Sequence, residues 1–143
     1  MFEPTDLAPS VTSIISDELS EFSGQYSEVL SRTSGMGVLI TDRDHVVSVS
    51  GLSKKDYIEK RISKELEDIM ENRINFSKSG TEKPLYPIES SDLEAAIAFP
   101  IIAAGDISGA VIFVSDSTKK QVTETEIKLA QVAASFLGKQ MEE

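Results

Sequence analysis

From Val11 onward, apolar residues recur at Ile15, Leu19, Phe22, Tyr26 and Val29, with Ile14 and Leu30 beside them. Steps of three and four put these positions on one face, so the spacing predicts a long amphipathic helix ending near Arg32. Thr33, Ser34 and Gly35 supply the break. The period then changes. Residues 37–41 (GVLIT) form a short apolar run rich in β-formers, and 45–50 alternates around Val46, Val47 and Val49. Asp42, Arg43 and Asp44 between them are turn-formers, which predicts a β-hairpin. Ser50 and Gly51 end the second strand, and Ser53 with Asp56 reads as the N-cap and capping box of a short helix over 54–60. A strand, turn, strand and Gly-Ser entry into a helix can cradle a small ligand, and equally serves as plain connecting structure.

Ser63 is placed to cap a further helix running to Glu71, with Leu66, Ile69 and Met70 inward. Residues 72–83 are polar and contain Gly80, which predicts a loop with a short edge strand around 74–76. Pro84 and Pro87 flank Leu85 and Tyr86 and argue for an irregular or edge segment. Residues 95–102 form an apolar strand in which Pro100 marks an edge, a bulge or the strand's end. Ala104, Gly105 and Asp106 make a turn into 108–115, the most hydrophobic stretch and the expected central strand of a second hairpin. Thr123 and Glu126 form a T-x-x-E capping box for a last helix striped by Ile127, Ala130, Ala134, Leu137 and Met141, with Val132 and Phe136 alongside. Antiparallel hairpins with helices on a sheet face make an α+β sandwich. The expected organisation is a loose leader over 1–10, containing Pro4 and Pro9, and a single domain over 11–143.

A chain of 143 residues that is 40% apolar fits one globular domain with a real core. No apolar run approaches the roughly 18 to 20 residues that span a bilayer. The acidic start MFEPTDLAPS lacks the basic and apolar regions of a secretory signal. Absence of cysteine excludes disulfides, thiolate catalysis and Cys-held zinc. A prokaryotic cytoplasm is the expected location. The net charge of −10 is uneven: 1–50 carries two basic and eight acidic side chains, 51–83 eight and seven, and 84–143 four and nine. Nucleic-acid binding needs clustered Lys and Arg, so direct contact with DNA is not expected.

The segments VLITDRDHVVSVSG and SKKDY, the later AFPIIAAGDISGAVIF and the terminal AASFLGKQMEE resemble the C-terminal domain of the stage V sporulation protein T family. The resemblance runs from about Ser34 to Glu143, and its most specific elements are Ser50, Gly51 and Ser53 to Tyr57, and Gly105, Asp106 and Gly109 to Val111. It implies a GAF fold, related to PAS, with long N- and C-terminal helices packed on one face of an antiparallel sheet. It also implies small-molecule sensing and helix-mediated assembly. Full-length members carry a basic N-terminal swapped-hairpin DNA-binding domain; here Met1 to Ser10 leads straight into the helix, which leaves three readings open: a stand-alone sensor, a regulator acting through a separate DNA-binding protein, or a fragment.

Asp42, Arg43 and Asp44 invite a paired-carboxylate or metal reading, but two acids flanking a base are also a solvated hairpin turn, which is favoured. His45 is the only histidine and has no second His or Cys at ligand spacing, so no metal site is expected. Free N–H groups after Ser50 and Gly51, with Lys54 and Lys55, suit a phosphate or carboxylate, in competition with self-capping by Ser53 and Asp56. There is no Walker A pattern, no dinucleotide fingerprint at 105–109 and no G-x-S-x-G elbow. Neither catalysis nor a cofactor is therefore expected. Once one helix face is spent on the sheet, Ile14, Leu30, Val132 and Phe136 are left to form a helix bundle in a homodimer or higher homo-oligomer. The expected ligand pocket lies between the sheet and the helices of 54–71, contacted by Ser50, Gly51, Ser53, Lys54, Lys55 and Tyr57. The expected function is ligand sensing and dimerisation in a sporulation-type regulator. The alternative is a pure oligomerisation module whose pocket is vestigial.

Overall fold

The central strand dictates the architecture. A computed structural model describes residues 11–78, 83–114 and 122–142, with side chains of the first helix from Ser23 onward. In chain order the elements are α1 (Val11–Ser34), β1 (Gly37–Thr41), β2 (Val46–Ser50), α2 (Lys54–Tyr57), α3 (Lys64–Glu71), β3 (Phe76–Ser77), β4 (Ala95–Ala103), β5 (Asp106–Val114) and α4 (Glu124–Gln140). The strands form one sheet in the order β2-β1-β5-β4-β3, and every pairing is antiparallel. The expected leader over 1–10 lies outside the described residues.

Alternation along the strands sorts the core into two layers. Val38, Ile40, Ile97, Phe99, Ile101, Val111 and Phe113 face α1 and α4, where they meet Leu30, Ala130, Ala133 and Leu137. Leu39, Val46, Val49, Ala98, Ala110 and Ile112 face the opposite way, against Leu66 and Met70 of α3 and against Ile62, Leu85 and Ile88. The α+β class and the shared face of the two long helices are as expected. The second layer, roofed by α3 and the irregular segments around it, makes the sandwich three-layered.

Local chemistry explains the boundaries. Ser63 Oγ accepts from the Leu66 N–H at 3.1 Å and donates to the Tyr86 carbonyl at 2.6 Å, so one hydroxyl starts α3 and ties it to the 84–88 segment. The capping box of Thr123 and Glu126 opens α4. The box expected at Ser53 does not form, and α2 is a single turn rather than a helix to Lys60. Glu59 adopts φ 64°, its N–H goes to the Val46 carbonyl, and Val46 N–H goes to the Lys60 carbonyl, so the chain leaves the helix to flank β2. The edge strand expected around 74–76 is β3, whose two residues pair only with Ile97 and Ala98. Pro100 therefore sits where that side of β4 meets no strand among the described residues, and its missing N–H costs no ladder bond.

β4 and β5 are joined by Ala104 and Gly105, both at positive φ (52° and 85°). That is the primed two-residue turn whose twist suits a tight hairpin. An alanine in the left-handed region is strained by about 1 kcal/mol. Ala104→Asn is expected to raise stability by about 1 kcal/mol, read as a higher Tm in thermal denaturation. The Ala104 N–H also donates to Glu142 Oε2 at 3.0 Å, and Lys139 Nζ lies 3.5 Å from Oε1. The backbone hydrogen bond first, and Lys139 second, hold the Glu142 carboxyl below its ordinary range. A lowered folded-state pKa stabilises above the ordinary carboxylate range and is lost as pH falls through the lowered value. Glu142→Gln should therefore flatten the acid limb of a Tm-against-pH curve without moving its neutral plateau upward.

Candidate functional site

Three serines of α1, at positions 23, 27 and 31, repeat every fourth residue and so share one stripe of the helix. On β2, Ser48 and Ser50 alternate onto the same side of the sheet. The two sets meet. Ser27 Oγ lies 2.7 Å from Ser48 Oγ and 2.9 Å from Ser50 Oγ, and Ser48 Oγ donates to the Ser23 carbonyl at 3.1 Å. Ser27 and Ser48 are buried, so their hydroxyls need partners, and they find them in each other, in Ser50 and in the Ser23 and Gly24 carbonyls. The Ser27 hydroxyl also donates to the Gly24 carbonyl at 3.2 Å, so its one hydrogen has three acceptors in reach: that carbonyl, Ser48 Oγ and Ser50 Oγ. Either oxygen can donate in both Ser–Ser contacts, so the chain can run inward from Ser50 or outward to it.

Ser31 Oγ donates to the Met36 carbonyl at 2.7 Å, closing the α1–β1 corner. Gly51 lies beside it at φ 78°, and a Cβ there would come 2.4 Å from Ser31 Oγ. Glycine is thus required both for the backbone conformation and for the space. Around this corner opens a groove of about 510 Å³ between Glu28, Ser31 and Arg32 of α1 and Ser50, Gly51 and Lys54 at the end of β2. Arg32 and Glu28 form an exposed pair at 3.4 Å. Lys54 has no ion-pair partner among the described residues.

Of the six candidate contacts, the structure brings Ser50, Gly51 and Lys54 to this groove. Ser53 and Lys55 are exposed outside it, and Tyr57 packs half-buried on the α3-side core. The location also differs from expectation. Leu66, Met70, Leu85 and Ile88, all buried, fill the centre of the space between the sheet and 54–71, a hollow of about 320 Å³ remains at its edge between Asp44, Glu67, Met70 and Ile107, and the groove lies across β2 under α1. Ser27, Ser31 and Arg32 were not anticipated. Their signal was the four-residue serine spacing inside a helix otherwise read for its apolar stripe.

Asp42 Oδ1 accepts from the N–H groups of Asp44 and His45, each at 2.7 Å, which makes the DRD segment a side-chain-closed hairpin turn. Asp42, Asp44 and His45 also bring one ligand atom each within 4.8 Å of one another. Asp42 also serves the turn, through its Oδ1.

On the outer side of the long helices, Leu30 is only 4% exposed and belongs to the protomer's own core, so it is not a surplus apolar residue. Its position faces β1 and α4 rather than outward. Val132 and Phe136 are 60% and 44% exposed, and Val29, at 53%, joins them. The side chain of Ile14 lies outside the described residues. Tyr26 and Phe136 stack across α1 and α4 with ring centroids 5.0 Å apart, and burial raises the Tyr26 phenol pKa. Ser27→Ala should cost about 1–2 kcal/mol by chemical denaturation, because it strands hydroxyls of the chain. Adding Ser48→Ala should cost less than the sum of the two single changes.

Residues 18–142 match the family described as "Stage V sporulation protein T C-terminal, transcription factor". The chain is 41% identical over 128 residues to stage V sporulation protein T of Bacillus subtilis (strain 168), an alignment covering 88% of this chain and 70% of that protein. Among solved structures it is similar to the cofactor-binding GAF domain of the nutrient sensor CodY from Clostridium difficile, at TM-score 0.56 and 11% identity, covering 82% of each chain. The A. aeolicus nlh2 GAF domain in an inactive state aligns at TM-score 0.59 and 15% identity, over 90% of this chain and 91% of that one. A GAF domain/HD domain protein from Geobacter sulfurreducens aligns at TM-score 0.57 and 16% identity, over 92% and 97%. At these identities the structures establish the fold, which is GAF-like. The chain belongs to the stage V sporulation protein T C-terminal family, the transcription-factor domain of a sporulation regulator.

Proposed function

We propose that this domain senses a small molecule and dimerises, passing the signal through α1 and α4, and does not itself contact DNA. One observation carries the reading. The two terminal helices lie side by side on one sheet face and leave Val29, Val132 and Phe136 exposed on their outer side. Apolar side chains exposed together on a helix pair suit a self-complementary contact across a two-fold axis. Such a contact would be sensitive to how α1 sits on the sheet. A ligand that prefers one seating of α1 would shift the population of dimer geometries. The excess of acidic over basic residues on both flanks of the chain argues against a phosphate-neutralising surface. No helix among the described residues is long and apolar enough to cross a membrane, in keeping with work in the cytoplasm.

The assembly-only reading has its own support in the filled space under α3, where Leu66 and Met70 leave little room beside the sheet. Native mass spectrometry on protein purified gently from its expression host separates the two. A dimer carrying extra mass is expected, whereas a clean dimer would leave assembly alone. Val132→Glu is expected to weaken the dimer at least about tenfold while the circular dichroism spectrum is unchanged. A wild-type monomer would overturn the helix-face argument.

A further inference from the structure

We infer that the groove between α1 and the end of β2 is a seat for the phosphate group of a small molecule, held by Arg32, Lys54 and Ser50. This names the ligand chemistry of the sensing reading above and rests on it. Three features point to a phosphate. The groove brings together two cations and one anion in a chain of net charge −10, so it is a locally positive spot on an acidic protein. The cations come from different elements, Arg32 from the last turns of α1 and Lys54 from beyond β2, so an anion between them is held from two sides. The Arg32–Glu28 pair is exposed and weak, with side chains 75% and 66% accessible, so Arg32 can exchange its carboxylate for a phosphate at little cost. About 510 Å³ is within the range of small-molecule sites.

The serine chain makes the seat responsive. Either direction of donation fits its two Ser–Ser contacts, and the Gly24 and Ser23 carbonyls take the Ser27 and Ser48 hydrogens when these are not passed along the chain. An anion requires a donor. The chain supplies one when it runs outward, so that Ser48 donates to Ser27, Ser27 to Ser50, and Ser50 to the phosphate. The same O···O contacts serve both directions, and the outward one gives up the Ser48 bond to the Ser23 carbonyl and the Ser27 bond to the Gly24 carbonyl. The phosphate would then join α1, through Arg32, to the β2–α2 corner, through Ser50 and Lys54. Three donors from three positions suit the several oxygens of a phosphate better than the two of a carboxylate. Gly51 keeps the floor open, since any side chain there would collide with Ser31. The four-residue α2 contributes only its Lys54 side chain.

The test is an NMR titration of the 15N-labelled full chain with inorganic phosphate, ionic strength being matched with sodium chloride. Saturable shifts at the amides of Ser31, Arg32, Ser50, Gly51 and Lys54 are expected. Acetate should give weaker effects at the same amides. Arg32→Ala and Lys54→Ala should each weaken phosphate at least about fivefold. Lys55→Ala, outside the groove, should leave it unchanged, and Ser50→Thr, which keeps the hydroxyl, should retain more affinity than Ser50→Ala. Shifts that follow ionic strength alone, equal response to acetate, or equal weakening by Lys55→Ala would each overturn the seat. Failure here is distinguishable from failure of the sensing reading. If native mass spectrometry finds a retained molecule that phosphate does not displace, sensing stands and the groove falls. If phosphate binds wild type and Val132→Glu alike but dimer geometry by small-angle scattering is unmoved, the seat stands and the signalling falls.

Discussion

A strand buried on both faces has to be covered on both faces, and β5 sets that requirement. Val111 and Phe113 look one way, Ala110 and Ile112 the other, and none of them reaches solvent. With β1 and β4 paired on either side, its backbone is satisfied, so the remaining demand is purely for apolar cover. On one side α4 answers it with Ala130, Ala133 and Leu137, small residues that bring the helix close. On the other side α3 answers it with Leu66 and Met70, assisted by segments that have no regular structure. Everything functional is arranged around these two roofs.

The roofs differ in kind. The α3 layer is nearly all aliphatic and fills the centre of the ground where a pocket was expected. The α1–α4 layer is mixed, because α1 meets two neighbours with two chemistries. Tyr26 and Leu30 turn toward α4 and the apolar core, whereas Ser23, Ser27 and Ser31 turn toward β2. A polar seam is retained only where its hydroxyls find partners, and the groove lies where that seam reaches solvent.

Much of the fold was legible because its signals are periodic. The alternation of 37–50, the turn at 104–106, the apolar run of 108–115 and the two capping positions Ser63 and Thr123 all translate directly into elements. The short α2 was misjudged in length because its end depends on a tertiary bond, Glu59 to Val46, that no local pattern announces. The site was half legible. Gly51 and Ser50 stand out beside a basic pair, but their partners come from a helix some twenty residues earlier, and serines at helical spacing read as an ordinary polar face. Leu30 was misassigned for a related reason: a stripe gives the face of a helix, not which of its neighbours that face will meet.

The two seams of α1 respond differently to temperature. Apolar contact weakens on cooling and carries most of the heat-capacity change of separation. A hydroxyl chain exchanged for water-bound hydroxyls changes heat capacity little, and in the opposite sense. A cooled molecule would thus hold α1 relatively more firmly to β2 than to α4, and a warmed one the reverse. The angle at which the helix leaves the sheet becomes a balance between a temperature-dependent contact and a nearly temperature-independent one.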